Sequence, residues 1–230
     1  MNTRPPAGRA SFFASVAIAL VAATAVTVLA LALPPETSTP LFEETGPFEQ
    51  ASPWLWLALA LFIPLAFRSK AHTVAAGMII ACAAAAREWD WHIAFTDYSM
   101  LKPPFYYREG SPLEVAIAGA VMVLVIASVV VLVARLVQLK PWKRPLPWWV
   151  LALGFAFFML VFTKVVDRAP AILRDDLGLI DLDEHPRIRV VCYAIEEGLE
   201  MLLPVFFGAY ALALARWHKA RRPAGDSPRT

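Results

Sequence analysis

The residues with the most chemical potential lie in the run Tyr193-Ala194-Ile195-Glu196-Glu197-Gly198-Leu199-Glu200, three carboxylates inside a long apolar stretch. On a helix of 3.6 residues per turn, Glu200 falls about 40° from Glu196, Tyr193 about 60° and Glu197 about 100°. Arg189 falls near 20°, so one arc of roughly 100° carries three acids, a phenol and a guanidinium. A charged carboxylate at mid-membrane costs ~2.5–3.5 kcal/mol on insertion scales, so such a face lines a cavity or meets partners. Adjacent carboxylates also repel one another, which adds to the need for a proton, a metal or a basic neighbour. Function is the default reading of such residues in a span, and a structural clamp between helices is its rival.

A second group is Arg87-Glu88-Trp89-Asp90-Trp91-His92. If the helix before it continues, Glu88 and His92 are about 40° apart and share a face, while Arg87 and Asp90 are spaced to pair. Glu196, Glu200, Glu197, Glu88 and His92 are therefore the candidate catalytic groups, as acid or base. Four of them, Glu88, His92, Glu196 and Glu200, offer the carboxylate and imidazole donors that a divalent metal takes. The competing view of 87–92 is a membrane rim, where tryptophan and charge ordinarily collect. Lys164 either snorkels to the surface or pairs with Glu196 or Glu200. Lys102 opens Lys102-Pro103-Pro104-Phe105-Tyr106-Tyr107-Arg108, basic residues flanking aromatics that would suit a lipid headgroup or a small anion. Arg87, Lys102, Lys164 and Tyr193 are the candidate substrate contacts. The acidic loop 174–185 lacks the D-x-[DN]-x-[DN]-G calcium pattern and reads as a solvated loop.

Absences narrow the chemistry. His92 is the only histidine expected at membrane depth, so bis-histidine haem is excluded within the chain. There is no G-x-S-x-G, H-E-x-x-H or Walker loop. Glu-x-x-x-His and Glu-x-x-x-Glu differ from the Glu-x-x-His of di-iron bundles. Cys82 and Cys192 form no C-x-x-C pair and sit in apolar runs as small hydrophobes.

The elements that must position these groups are membrane helices. The chain is 59% apolar and 17% charged, against about 25% charged in ordinary soluble domains. Apolar runs near 20 residues match a ~30 Å hydrocarbon layer. The pattern predicts an all-α bundle of six spans, at about 12–33, 53–67, 73–92, 113–134, 147–166 and 189–215, with 216–230 as a polar tail. The first apolar run is ~22 residues, longer than the 7–15 of a signal h-region, and reads as an uncleaved anchor. No internal repeat relates the two halves, which counts mildly against a transporter of inverted repeats.

Basic residues set the orientation. The N-terminus, residues 68–72, 135–146 and the tail hold thirteen Lys or Arg, and the alternate loops hold seven. Both termini are therefore expected in the cytoplasm of a bacterial-type inner membrane, with the acidic cluster opening to the outer face. The net charge of +2 is too small to suggest nucleic acid. The expected partners are the bilayer and a lipid or small-molecule ligand, with any protein partner unknown. Three functions remain open. They are an enzyme acting on a membrane-embedded or lipid-linked substrate, a proton- or cation-coupled carrier, and a non-catalytic factor that uses the cluster structurally.

Overall fold

The computed structural model describes residues 8–43, 46–67, 71–94, 98–139, 146–176, 178 and 186–220. Among these, every regular element is helical. Five stretches are long and apolar enough to cross a membrane: Arg9–Ala32, Pro35–Ala66, Pro112–Gln138, Trp148–Arg174 and Arg187–Ala220. Nine α-helices carry the described chain: α1 Arg9–Ala32, α2 Pro35–Phe42, α3 Pro47–Ala66, α4 Ala71–Glu88, α5 Trp91–Ala94, α6 Pro112–Gln138, α7 Trp148–Ala171, α8 Pro186–Glu200 and α9 Leu203–Ala220. They fall into two compact units, 1–48 with 141–230, and 49–140.

The first unit is a packing of α1, α7 and the α8–α9 pair, with α2 laid against α8. α7 buries Trp149, Ala152, Ala156, Met159 and Thr163. That alternating three-and-four spacing makes a single apolar seam along one face. α1 buries Ser11, Ser15, Ala19, Val26 and Ala30. These are mostly small side chains, and small residues let membrane helices approach closely. The Ser15 hydroxyl donates to the Ser11 carbonyl at 2.9 Å, so its polar group is satisfied inside its own helix.

The two ends of this unit are distinct. At one end the Arg9 guanidinium lies 5.7 Å from the Trp148 ring, and Trp149 meets Trp217 at 5.8 Å. Gly8 belongs to the same end: with φ at +94°, a Cβ there would sit 3.1 Å from that of Ala213. The starts of α1 and α7 and the last turns of α9 thus lie together, with tryptophan and basic residues as an interfacial belt requires. At the opposite end Arg187 donates to the Leu31 carbonyl at 3.4 Å. Phe42 of α2 is buried there against Val26, Ala30, Val190 and Ala194 and stacks on Phe48 at 5.0 Å.

In the second unit α4 packs along α6 through Ala76, Ala81 and Ala85. Trp54 of α3 meets Trp89, just past α4, edge-on at 5.2 Å, and Gly77 of α4 faces Ile63 of α3, so the two helices run antiparallel where they touch. α6 buries only Ala118 and Ser128 of its 27 residues, which is the pattern of a lipid-facing span. Its start is fixed by a capping box. The Ser111 N–H donates to Glu114 Oε2 at 2.8 Å and the Glu114 N–H donates to Ser111 Oγ at 3.4 Å, two otherwise unpartnered donors satisfied together.

Several sequence expectations need correcting. The third span was expected over 73–92, but α4 ends at Glu88 and Asp90 takes a left-handed φ of 54°. α4 is also less apolar than the five stretches above, because it is alanine-rich and closes on Arg87-Glu88. The sixth span was expected as one helix over 189–215, yet it is two, interrupted at Met201-Leu202. Residues 34–52 were read as a loop, but they contain α2 and the start of α3. The orientation argument's loops at 68–70, 140–145 and 179–185, and the tail from 221, lie outside the described residues.

Candidate functional site

The interruption between α8 and α9 has a local cause. Pro204 has no N–H to donate to the carbonyl of Glu200, four residues back, so the helical ladder cannot pass through it. The chain tightens instead: the Leu202 N–H donates to the Leu199 carbonyl at 3.1 Å, and the ladder resumes with Phe206 on Leu202. Glu200 is therefore the last residue of α8. Across the junction the Glu197, Leu199 and Leu202 carbonyls are paired, while the Glu200 carbonyl loses its intrahelical donor because Pro204 has no N–H.

Lys164 of α7 reaches this point. Its Nζ lies 2.5 Å from Glu200 Oε1 and 3.7 Å from Glu196 Oε1. The two acids are one turn apart, about 6 Å along the helix, so a single ammonium bridges them. Their side chains are 9% and 12% exposed, while that of Lys164 is 41% exposed. Asp167, three residues beyond Lys164 on the same helix, acts on Glu196 as a further negative charge. Among the described residues the cluster holds more carboxylates than ammonium groups, and it stands where α8 gives way to α9.

Two rulers give its depth. Lys164 lies sixteen residues, about 24 Å, from Trp148 along α7, and Glu200 lies seventeen residues, about 25 Å, from Trp217 along the α9 side. Both tryptophans mark the same end of the unit. In a layer ~30 Å thick the cluster therefore lies about one helical turn inside the face opposite those tryptophans.

The other expected residues are placed as follows. Tyr193 packs against the apolar cluster of Val26, Phe42 and Ala194, so its ring serves as packing. Glu197 is half-buried on α8, a quarter turn from Glu196. Glu88 and His92 do not share a helical face, because the left-handed turn at Asp90 separates them. Arg87 pairs with Glu88 at 3.6 Å rather than with Asp90, and His92 Nδ1 stands 3.8 Å from Asp90. Lys102 is exposed in the segment leading to a π-helical turn, Phe105–Glu109, whose Phe105 is buried. Glu88, His92, Arg87 and Lys102 belong to the 49–140 unit, and Lys164, Glu196, Glu197 and Glu200 to the other. Among the described residues no three His, Cys, Asp or Glu side chains are grouped to hold a metal ion.

Sequence reasoning gave no role to Asp167 and did not see the helix break. The signals were there: Asp167 stands one turn from Lys164, and Pro204 stands four residues after Glu200. The chain matches no protein-family model, no curated protein and no solved structure.

Proposed function

We propose that the chain is a six-span inner-membrane protein, with both termini cytoplasmic, that exchanges protons or small cations at the Lys164–Glu196–Glu200 cluster. The observation that carries this is one ammonium held between two carboxylates at the end of a broken helix. A pure brace needs one cation per anion. Among the described residues this cluster has an excess of carboxylates, to which Asp167 adds. At an effective dielectric constant of 20, a unit charge 4 Å from such an excess is attracted by about 4 kcal/mol. Discontinuous helices whose C-terminal ends and carboxylates face one point are how membrane carriers hold protons and metal cations. Lys164 then acts as a resident cation, released when a diffusible one enters.

Six spans are supported by parity. The starts of α1 and α7 lie at the same end of their unit, so the chain between them crosses an odd number of times after α1. α3 and α6 supply two crossings, and α4 is the helix available for the third. The thirteen basic residues on the alternate segments favour the cytoplasm for that end. Reporter fusions after Leu33, Lys102 and Asp181 are expected to read as periplasmic, and those after Lys70, Lys143 and Arg222 as cytoplasmic. A fusion after Lys102 that reads as cytoplasmic would remove α4 from the membrane.

A second reading is an enzyme acting on a membrane-embedded or lipid-linked substrate. It draws on Glu88 and His92, whose side chains are withdrawn to 15% and 18% exposure where rim residues are ordinarily solvated. Reconstitution separates the two readings. With the purified protein in liposomes, an imposed cation gradient is expected to change the lumenal pH reported by a trapped dye. Absence of flux together with a stoichiometric divalent metal would favour the enzyme.

A further inference from the structure

The cluster occupies one side of α8, and the opposite side opens onto an unrelated feature. A groove of about 540 Å³ runs between α1 and the α8–α9 junction, walled by Ala22, Ala25, Val26 and Leu29 on one side and by Gly198 and Met201 on the other. α1 and α8 touch at Gly198, where a Cβ would come within 2.7 Å of Val26. Beside this contact the groove lies open along the Ala17–Leu29 stretch of α1, with Phe48, Met201 and Leu202 on its other wall. The walls are almost wholly apolar. From Ala17 to Leu29 the groove follows α1 for about 18 Å, comparable with one leaflet of ~15 Å, half of the hydrocarbon layer.

We infer that this groove holds one acyl chain of an anionic phospholipid, with the headgroup phosphate at Arg187. The solvent at this depth is hydrocarbon, and small walls let a chain gain packing contacts that bulk lipid does not offer. Arg187 supplies the charge. It is exposed at the Leu29 end of α1, and its Nη1 donates to the Leu31 carbonyl at 3.4 Å. A guanidinium has five N–H donors in a planar fork suited to phosphate, so the contact with Leu31 leaves donors directed outward. The same end of α1 presents free carbonyls, which hold the guanidinium in place.

Native mass spectrometry tests the inference, on protein released from nanodiscs of phosphatidylcholine containing a minor fraction of phosphatidylglycerol. The wild type is expected to retain one phospholipid, phosphatidylglycerol in preference to phosphatidylcholine. Ala25→Phe fills the groove and is expected to lower retention at least about tenfold, equivalent to 1.4 kcal/mol. Arg187→Gln is expected to keep a bound lipid but lose the headgroup preference. If Ala25→Phe fails to accumulate, Ile18→Trp at an exposed wall position makes the same comparison. Equal retention by the filled groove, no preference in the wild type, or a lipid-free dimer in place of a lipid-bound monomer would each overturn it.

Discussion

Replacing Lys164 with methionine is expected to destabilise the protein by about 3 kcal/mol, the lower end of what breaking a buried pair costs. The lower end applies because the lysine is 41% exposed while its partners are nearly buried. Methionine keeps the length and the apolar stem, so the loss reports the ammonium alone. Its removal leaves Glu196 and Glu200 one turn apart without the ammonium between them, with Asp167 close by. Adding Glu196→Gln and Glu200→Gln to Lys164→Met is expected to restore most of the stability, since neutral amides need no counter-ion. Denaturant titration of the two variants in detergent measures both effects. If the single variant is as stable as the wild type, the ion pairs contribute nothing, and the cluster has no electrostatic core.

The second large effect is steric. Gly198→Leu is expected to cost at least ~1–3 kcal/mol, the usual range for overpacking, because even its Cβ would lie 2.7 Å from Val26 Cγ1. Neither helix can yield easily: Val26 is buried in the cluster with Ala30, Phe42 and Ala194. Val26→Ala in the same chain removes the opposing methyl groups and is expected to recover much of the loss. Thermal midpoints of the two single variants and the double variant form the cycle. Simple addition of the two losses would mean that α1 and α8 do not touch there.

How legible the molecule is in its sequence depends on the kind of signal. Long apolar runs are a bulk property of the bilayer as solvent, so α1, α6 and α7 stand close to where hydropathy puts them. Hydropathy is blind to what interrupts a run. The break after Glu200 comes from a missing N–H at Pro204, a single-residue effect inside a stretch that is apolar on both sides. The turn at Asp90 likewise comes from one left-handed residue, and it separates Glu88 from His92 despite their helical spacing. Azimuth on one helix did place Glu196 and Glu200 together, because both precede the break. Which basic residue answers them depends on how α7 and α8 are packed. Lys164 was therefore open between snorkelling and pairing until the packing was known. Asp167 was overlooked for a similar reason, because an acid near the end of a span resembles any interfacial charge.

If Glu200 exchanges its cation rather than only holding α7 to α8, its charge and its shape have separable effects. Glu200→Gln keeps the shape and the hydrogen-bonding capacity of the side chain and removes its charge, whereas Glu200→Ala also leaves its neighbours unpartnered, at ~1–3 kcal/mol for each group. The decisive measurement is gradient-driven proton flux in liposomes for the wild type and Glu200→Gln, with the thermal midpoint recorded on the same preparations. The Gln variant is expected to keep a midpoint close to that of the wild type while its flux falls to the level of empty liposomes. A Gln variant that carries flux at the wild-type rate would contradict exchange at Glu200, and would leave Lys164, Glu196 and Glu200 as a brace between two spans.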